Sequence, residues 1–295
     1  MRAHLVQLDI VWEDKNANHA RIATLLAAAS VEPGDLVLLP EMFDTGFSIN
    51  VERTAADPER SILFLSELAR QHRVSCCASV AVMERDGWAR NRACVIGPDG
   101  KSICTYDKVH PFSYGQESRR FAGGTESRCC SVPLGSTRVL ACPVVCYDLR
   151  FPELFRLGLE RGAELFMVVA NWPRERAEHW RTLLLARAIE NQAIVLGVNR
   201  AGADPNLAYA GGSIAIDPRG RILGEAGPGE GVLSVVLDPA WVRTWRDKFP
   251  AWRDRRIGVG PIAARPIAEG ISSKNHNQDR PDELTGSEMR VSSLR

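Results

Sequence analysis

The chain reads as an α/β protein in which helices cover largely buried sheets. Two observations predict this. Short, wholly apolar runs such as Leu36-Val37-Leu38-Leu39 and Leu165 to Val169 have the length and composition of strands buried on both faces. Longer stretches with helical apolar spacing separate them, so the strands alternate with helices that can lie against a sheet.

Leu5 to Ile10 begins the series as a strand, and Asn16 to Ala29, rich in alanine, follows as a helix. The buried run Leu36 to Leu39 stops at Pro40. Pro58 to His72 is a helix with Ile62, Leu65, Leu68 and Ala69 on one face. Cys77 to Met83 and Ala93 to Ile96 flank Arg85-Asp86-Gly87 as a hairpin, and Pro98-Asp99-Gly100-Lys101 makes a further turn. The rhythm then returns. Arg138 to Val145 is a strand, Pro152 to Gly162 a helix, Leu165 to Val169 a strand and Glu178 to Gln192 a helix. Val195 to Val198, Ser213 to Ile216 and Gly231 to Leu237 complete the strands, with Asp217-Pro218-Arg219-Gly220 as a turn. No internal repeat is seen.

At 45% hydrophobic the chain can fill a sizeable core, and 37 Lys+Arg against 36 Asp+Glu give no global attraction to nucleic acid or an acidic membrane. No apolar run is long enough to span a bilayer, and Met1 to Asp9 lacks an apolar signal region, so a cytoplasmic protein is expected. The eight cysteines contain no CxxC and no paired zinc-ligand spacing, which speaks against a metal or redox role and for free, mostly buried thiols. Beyond Ile257 the composition turns polar, and residues 265–295 hold few apolar side chains and no aromatic ones. The expected division is a catalytic domain over 1–258 and a polar tail over 259–295, mobile or packed on a partner subunit.

Three polar residues each close an apolar strand. Glu41 ends Val37-Leu38-Leu39-Pro40, Lys108 ends Ile103 to Asp107, and Cys146 ends Val139 to Val145 just ahead of a helix. Ligand sites in α/β proteins form at the carboxyl ends of strands, and a thiol there is well placed to be a nucleophile. Taken singly, the three could be a capping glutamate, a surface lysine and a buried thiol.

The segments Leu39-Pro40-Glu41-Met42-Phe43, Tyr106-Asp107-Lys108-Val109-His110 and Val145-Cys146-Tyr147-Asp148-Leu149-Arg150-Phe151-Pro152-Glu153 resemble, in order, the three signature segments of the nitrilase superfamily. Ala170-Asn171-Trp172-Pro173, Ala186 to Gln192 and Lys248 to Trp252 extend the likeness to about Arg255. The resemblance implies an α-β-β-α sandwich of two mixed sheets with helices on the outer faces. It also implies hydrolysis of a non-peptide C–N bond through a thioester on Cys146. Glu41 would be the general base, and Lys108 with the backbone N–H of Tyr147 would bind the oxyanion. Glu117 matches a second glutamate that positions substrate and lysine, and His110 falls at a usually structural position. Neither a metal nor an organic cofactor has a task in such a scheme.

Within that superfamily the chain most resembles the omega-amidases, which act on 2-oxoglutaramate and related small amides. That likeness implies a cation for the substrate carboxylate. Arg176 is the first candidate, with Arg150 and Arg174 as rivals, and Phe43, Asn171 and Trp172 are expected to line the pocket. Gly212 departs from the polar residue that relatives often carry. An N-carbamoyl-amino-acid hydrolase, a deaminated-glutathione amidase and a nitrilase would use the same three residues. A catalytically silent interaction subunit would be expected to have lost one of them. Family members commonly pair, so a homodimer or higher homo-oligomer is expected.

Overall fold

The computed structural model describes residues 1–258 and 260; apart from Gly260, the polar tail expected over 259–295 lies outside the described residues. The elements, in chain order, are β1 (Arg2–Gln7), α1 (Lys15–Ala28), β2 (Leu36–Leu38), the single turn α2 (Val51–Thr54), α3 (Pro58–His72), β3 (Ser75–Met83), β4 (Ala89–Ile96), β5 (Ser102–Asp107), β6 (Cys130–Leu134), β7 (Thr137–Val145), α4 (Pro152–Glu160), β8 (Leu165–Ala170), α5 (Ala177–Asn191), β9 (Ile194–Asn199), β10 (Ala201–Ala203), β11 (Ala208–Ala210), β12 (Ile214–Ile216), β13 (Ile222–Glu225), β14 (Gly231–Val236) and α6 (Ala240–Lys248).

They build two six-stranded mixed sheets. The first has the order β14-β1-β2-β3-β4-β5 and the second β13-β12-β9-β8-β7-β6, while β10 and β11 pair as a separate hairpin. The period-two alternation of the strands creates the layers. In β2, Leu36 and Leu38 enter the core shared with the second sheet, whereas Val37 and the following Leu39 turn outward to Ile22 and Leu26 of α1 and Leu65 of α3. On the second sheet, Leu154 and Phe155 of α4 and Leu184 and Ala188 of α5 close the other outer face. The result is the four-layer α-β-β-α sandwich expected from the sequence. Helix α5 lies so close to β9 that a Cβ on Gly197 would come within 2.6 Å of Leu184 Cδ1.

The predicted helices and strands lie within a few residues of the observed ones. The sequence reading lacked β6, the β10–β11 hairpin, β13 and α6. Strand β6 carries Pro133, which an edge strand tolerates because an edge residue need not donate to a neighbour. Strands β10 and β11 are three residues each, too short for a periodicity to show.

The expectation that all cysteines are free thiols is corrected by a Cys129–Cys142 disulfide; Cys76, Cys77, Cys94, Cys104, Cys130 and Cys146 remain free. Its cause is strand register. The β6–β7 pairing sets Cys130 opposite Ala141, which carries Cys129 to Cys142 one step further along, with Cα atoms 4.3 Å apart. Closing a loop of this length restricts the unfolded chain by about 3 kcal/mol. Urea unfolding with and without a thiol reductant should therefore differ by about that amount. A Cys129→Ser variant should match the reduced protein, and an insensitivity of both to reductant would show that the bond does not form.

Candidate active site

Four strand ends converge on one buried cluster. Glu41 follows β2, Lys108 follows β5, Cys146 follows β7 and Asn171 follows β8. The first two strands belong to one sheet and the last two to the other, so the site is assembled across the interface between the sheets.

The lysine Nζ lies 2.9 Å from Glu41 Oε1 and 2.8 Å from Glu117 Oε2, and all three side chains are essentially inaccessible to water. Burial alone would drive the ammonium to lose its proton, but Glu117 and then Glu41 outweigh that and hold the Lys108 pKa above its ordinary value. Glu117 moves the other way for a carboxylate. Burial, reinforced by Glu41, raises its pKa despite the opposing Lys108. The backbone N–H of Phe112 also donates to Glu117 Oε2 (2.5 Å).

Glu41 is saturated with donors. Its Oε1 accepts from Lys108 and from Asn91 Nδ2 (2.8 Å), and its Oε2 accepts from the backbone N–H of Asn171 (2.9 Å). Asn171 Nδ2 also donates to the Glu41 backbone oxygen (2.7 Å). Cys146 and Glu41 line the same cavity. Burial first, and then Glu41, push the thiol pKa well above the cysteine range, with Lys108 opposing.

Cys146 has φ +46°, in the left-handed region that costs an L-residue energy. Buried Asp148 fixes the turn that imposes it. Its carboxylate accepts from Tyr106 Oη (2.7 Å), from the backbone N–H of His110 (2.9 Å) and from that of Val145 (3.3 Å). The His110 ring stands 2.8 Å from Asp148 Oδ1 and stacks on Phe151, away from the thiol.

Above Cys146 opens a cavity of about 450 Å³. Glu41 and Lys108 also line it, and its aromatic walls include Phe47, Phe112, Tyr147, Trp172 and Tyr209. Arg150 and Arg176 both reach it. The Arg176 guanidinium lies 5.8 Å from the Phe112 ring centroid, and its carboxylate neighbour, Glu175, is 3.8 Å away. Arg150 stacks over Trp172 at 4.8 Å, with Nη2 3.2 Å from His179 Nδ1. Arg174 is exposed and does not line the cavity.

Phe43, expected in the pocket, is placed instead in the core between the first sheet and its helices, near the rings of His19 and Phe64. Met42, with φ +43°, turns the chain immediately after Glu41, and Phe47 is the phenylalanine of this segment that faces the cavity. Gly212 is absent from the cavity wall and has φ +73°, with its carbonyl accepting from Trp180 Nε1 (2.8 Å), so its identity answers a backbone need. Asn91, Asp148 and the β10–β11 hairpin that carries Tyr209 were not singled out from sequence. Asn91 has no sequence signal, because Arg90 and Arg92 make its strand look solvated.

The carbon-nitrogen hydrolase family model matches residues 2–247. An omega-amidase, YafV, of Yersinia enterocolitica is 39% identical over 256 residues, covering 86% of this chain and 96% of the relative. Among solved structures, XC1258 of Xanthomonas campestris, a CN-hydrolase superfamily protein with an arsenic adduct in its active site, is 36% identical with TM-score 0.79; the match covers 88% of this chain and 98% of that one. Nit3 of Saccharomyces cerevisiae, a member of branch 10 of the nitrilase superfamily, is 31% identical with TM-score 0.77, covering 87% and 97%. The chain belongs to the carbon-nitrogen hydrolase family. It is a hydrolase acting on carbon–nitrogen bonds other than peptide bonds. Among the described residues no helix is long and apolar enough to cross a membrane.

The charge balance of the cluster gives a pH test. Removing Lys108 leaves Glu117 buried beside Glu41 without its cation, so the already raised pKa of Glu117 rises further. A carboxyl whose folded pKa is raised contributes stability that is complete below its unfolded pKa of about 4.3 and is lost as pH rises through the folded value. Lys108→Met should therefore lose about 3–5 kcal/mol of stability at pH 8 and regain part of it at pH 5. Adding Glu117→Gln should recover stability at pH 8. Urea unfolding at both pH values measures this, and an equal deficit at each would refute the charge argument.

Proposed function

We propose that the protein is a cysteine-dependent amidase that releases ammonia from an omega-amide of a small dicarboxylate such as 2-oxoglutaramate. The observation that carries this reading is a single cavity lined by Cys146, Glu41 and Lys108 that also presents two guanidinium groups. Glu41 takes the thiol proton as sulfur attacks the amide carbon. Lys108 and the Tyr147 backbone N–H stabilise the oxyanion. The tetrahedral intermediate collapses to a thioester as Glu41 returns the proton to departing ammonia. Glu41 then draws a proton from water, the resulting hydroxyl adds to the thioester carbon, and a second collapse frees the carboxylic acid and restores the thiol. Glu117 holds Lys108 in place.

Arg176 binds the substrate carboxylate, with Arg150 beside it and Trp172 and Asn171 shaping the pocket. A 2-oxo acid suits this lining better than an amino acid. Asp204, a lining carboxylate that could receive an ammonium group, already accepts from the backbone N–H groups of Asn206 (2.7 Å) and Leu207 (2.8 Å) and from Tyr209 Oη (2.5 Å). The omega-amidase of Yersinia enterocolitica, with its 39% identity, supports the same substrate class. We further take residues 1–258 as the catalytic unit of a cytoplasmic homodimer or higher homo-oligomer, in keeping with the prevalence of symmetric pairs.

Cys146→Ala should fold and release no ammonia, and turnover near the wild-type rate would remove Cys146 from the role given it. The substrate reading is tested separately. A charge-assisted hydrogen bond to a carboxylate is worth about 1.5–3 kcal/mol, so Arg176→Ala should lower kcat/KM for 2-oxoglutaramate by roughly one to two powers of ten. The loss on an uncharged amide of similar length should be much smaller. Equal losses on both substrates would make Arg176 a structural residue.

A further inference from the structure

Asn91 lies in the middle of β4, opposite Ala81 of β3, and is 1% exposed. It does not line the cavity, yet it touches every charged member of the cluster. Its Nδ2 donates to Glu41 Oε1 (2.8 Å) and to Glu117 Oε1 (3.1 Å), and its backbone oxygen accepts the N–H of Lys108 (2.9 Å). Its own Oδ1 is buried without a hydrogen-bond partner among the described residues.

That orphaned oxygen is informative. Buried polar atoms are nearly always paired, and an exception calls for a reason. Exchanging the amide's nitrogen and oxygen would face a lone-pair oxygen against two carboxylates, so the orientation with both N–H bonds spent on the glutamates is the only favourable one. The side chain accepts an unsatisfied carbonyl in order to supply one donor to each acid. Arg90 and Arg92, on either side of it in the strand, pair elsewhere: Arg90 with Asp86, and Arg92 with Glu84 and Asp107.

We propose that Asn91 is a positioning residue that keeps Glu41 and Glu117 both unprotonated, so that the transferable proton of the resting site is the one on Cys146. This rests on the reading of Glu41 as base. The titratable groups concerned are Glu41 after β2, Lys108 after β5, Glu117 in the short turn that follows, and Cys146 after β7; Tyr209 of β11 also lines the cavity, and burial first, then Asp204, raise its pKa so that it stays neutral. Asn91 and Lys108 together occupy Glu41 Oε1, and Oε2 carries a single donor, the Asn171 backbone N–H, which leaves it free to take a proton in the reaction. Without the amide, two buried carboxylates share one lysine, and a proton taken from solvent settles on one of them. When it settles on Glu41 the base is lost. Activity then requires a higher pH to remove that proton.

The test follows the pH dependence of two readouts in the full chain between pH 5 and 9: kcat/KM for 2-oxoglutaramate, and the rate of Cys146 alkylation by iodoacetamide, located by peptide mass. Asn91→Leu, close in volume but without donors, and Asn91→Ser should move the acid limb of both profiles up by about one to two pH units and slow both at pH 7 by about 10- to 100-fold. Asn91→Asp should move it further, since it adds a third carboxylate. Any one of these variants that folds decides the matter. A uniform loss with the acid limb unmoved would overturn the proposal and leave Asn91 a packing residue. The alkylation readout needs no substrate, so it stands even if 2-oxoglutaramate is not turned over. If Glu41→Gln retains the wild-type acid limb of alkylation, it is the assignment of Glu41 as base that fails, and the role of Asn91 falls with it.

Discussion

Everything at this site depends on keeping one ammonium ion dry. Moving a lysine out of water costs several kcal/mol even after relaxation, and Lys108 is buried to 1% exposure. Two carboxylates at 2.8 and 2.9 Å offset that cost, but they are buried too and bring desolvation costs of their own. The cluster therefore holds together only as a set. Glu117 takes donors from Lys108, Asn91 and the Phe112 backbone, and Glu41 takes them from Lys108, Asn91 and the Asn171 backbone. With one cation between two anions, a residual negative charge lies beside Cys146. Burial first, and then that charge, favour the protonated thiol.

The sandwich, from the site's point of view, brings most of those groups together at or just beyond strand ends. Glu41 and Lys108 come from strand ends of one sheet and Cys146 and Asn171 from strand ends of the other, so packing the inner faces also fixes the distances of the chemistry. Asp148 locks the joint. It receives Tyr106 and His110 from the β5 side and the Val145 N–H from the β7 side, tying the turn that bears Cys146 to the segment that bears Lys108. The positive φ of Cys146 persists because this turn is held from both sides.

The legible part of the sequence was the part where chemistry interrupts a pattern. Glu41, Lys108 and Cys146 each stand at the end of an apolar strand, where a charged or reactive group has no packing role to fill. Glu117 sits in a polar loop and was identifiable only through family likeness. Asn91 was hidden because alternation along β4 places it between two outward-facing arginines, and a polar residue between two charged ones looks solvated. Phe43 and Phe47 are four residues apart, and the turn at Met42 decides which of them faces the substrate, a decision that composition does not carry. The Cys129–Cys142 bond depends on the register of β6 against β7, which only the folded hairpin defines.

The location of the proton links these observations to catalysis. A cysteine enzyme can keep its nucleophile ionised, which makes it reactive toward any electrophile, or keep it protonated and ionise it during attack. Burial and the Glu41 charge enforce the second arrangement here, against the pull of Lys108. In the reaction proposed above, the sulfur becomes strongly nucleophilic only as its proton leaves for Glu41, and the lysine charge is worth most once an oxyanion has formed beside it. Stabilisation that appears with the transition state, and is weak before it, is what lowers a barrier. In the proposed reaction the two guanidinium groups select which carbonyl reaches the thiol, because an amide without a carboxylate at the right distance leaves Arg176 and Arg150 to their aromatic neighbours. Reactivity and selectivity are thus set by different layers of one cavity. The buried floor controls the proton, and the half-exposed wall controls what is allowed to receive the sulfur.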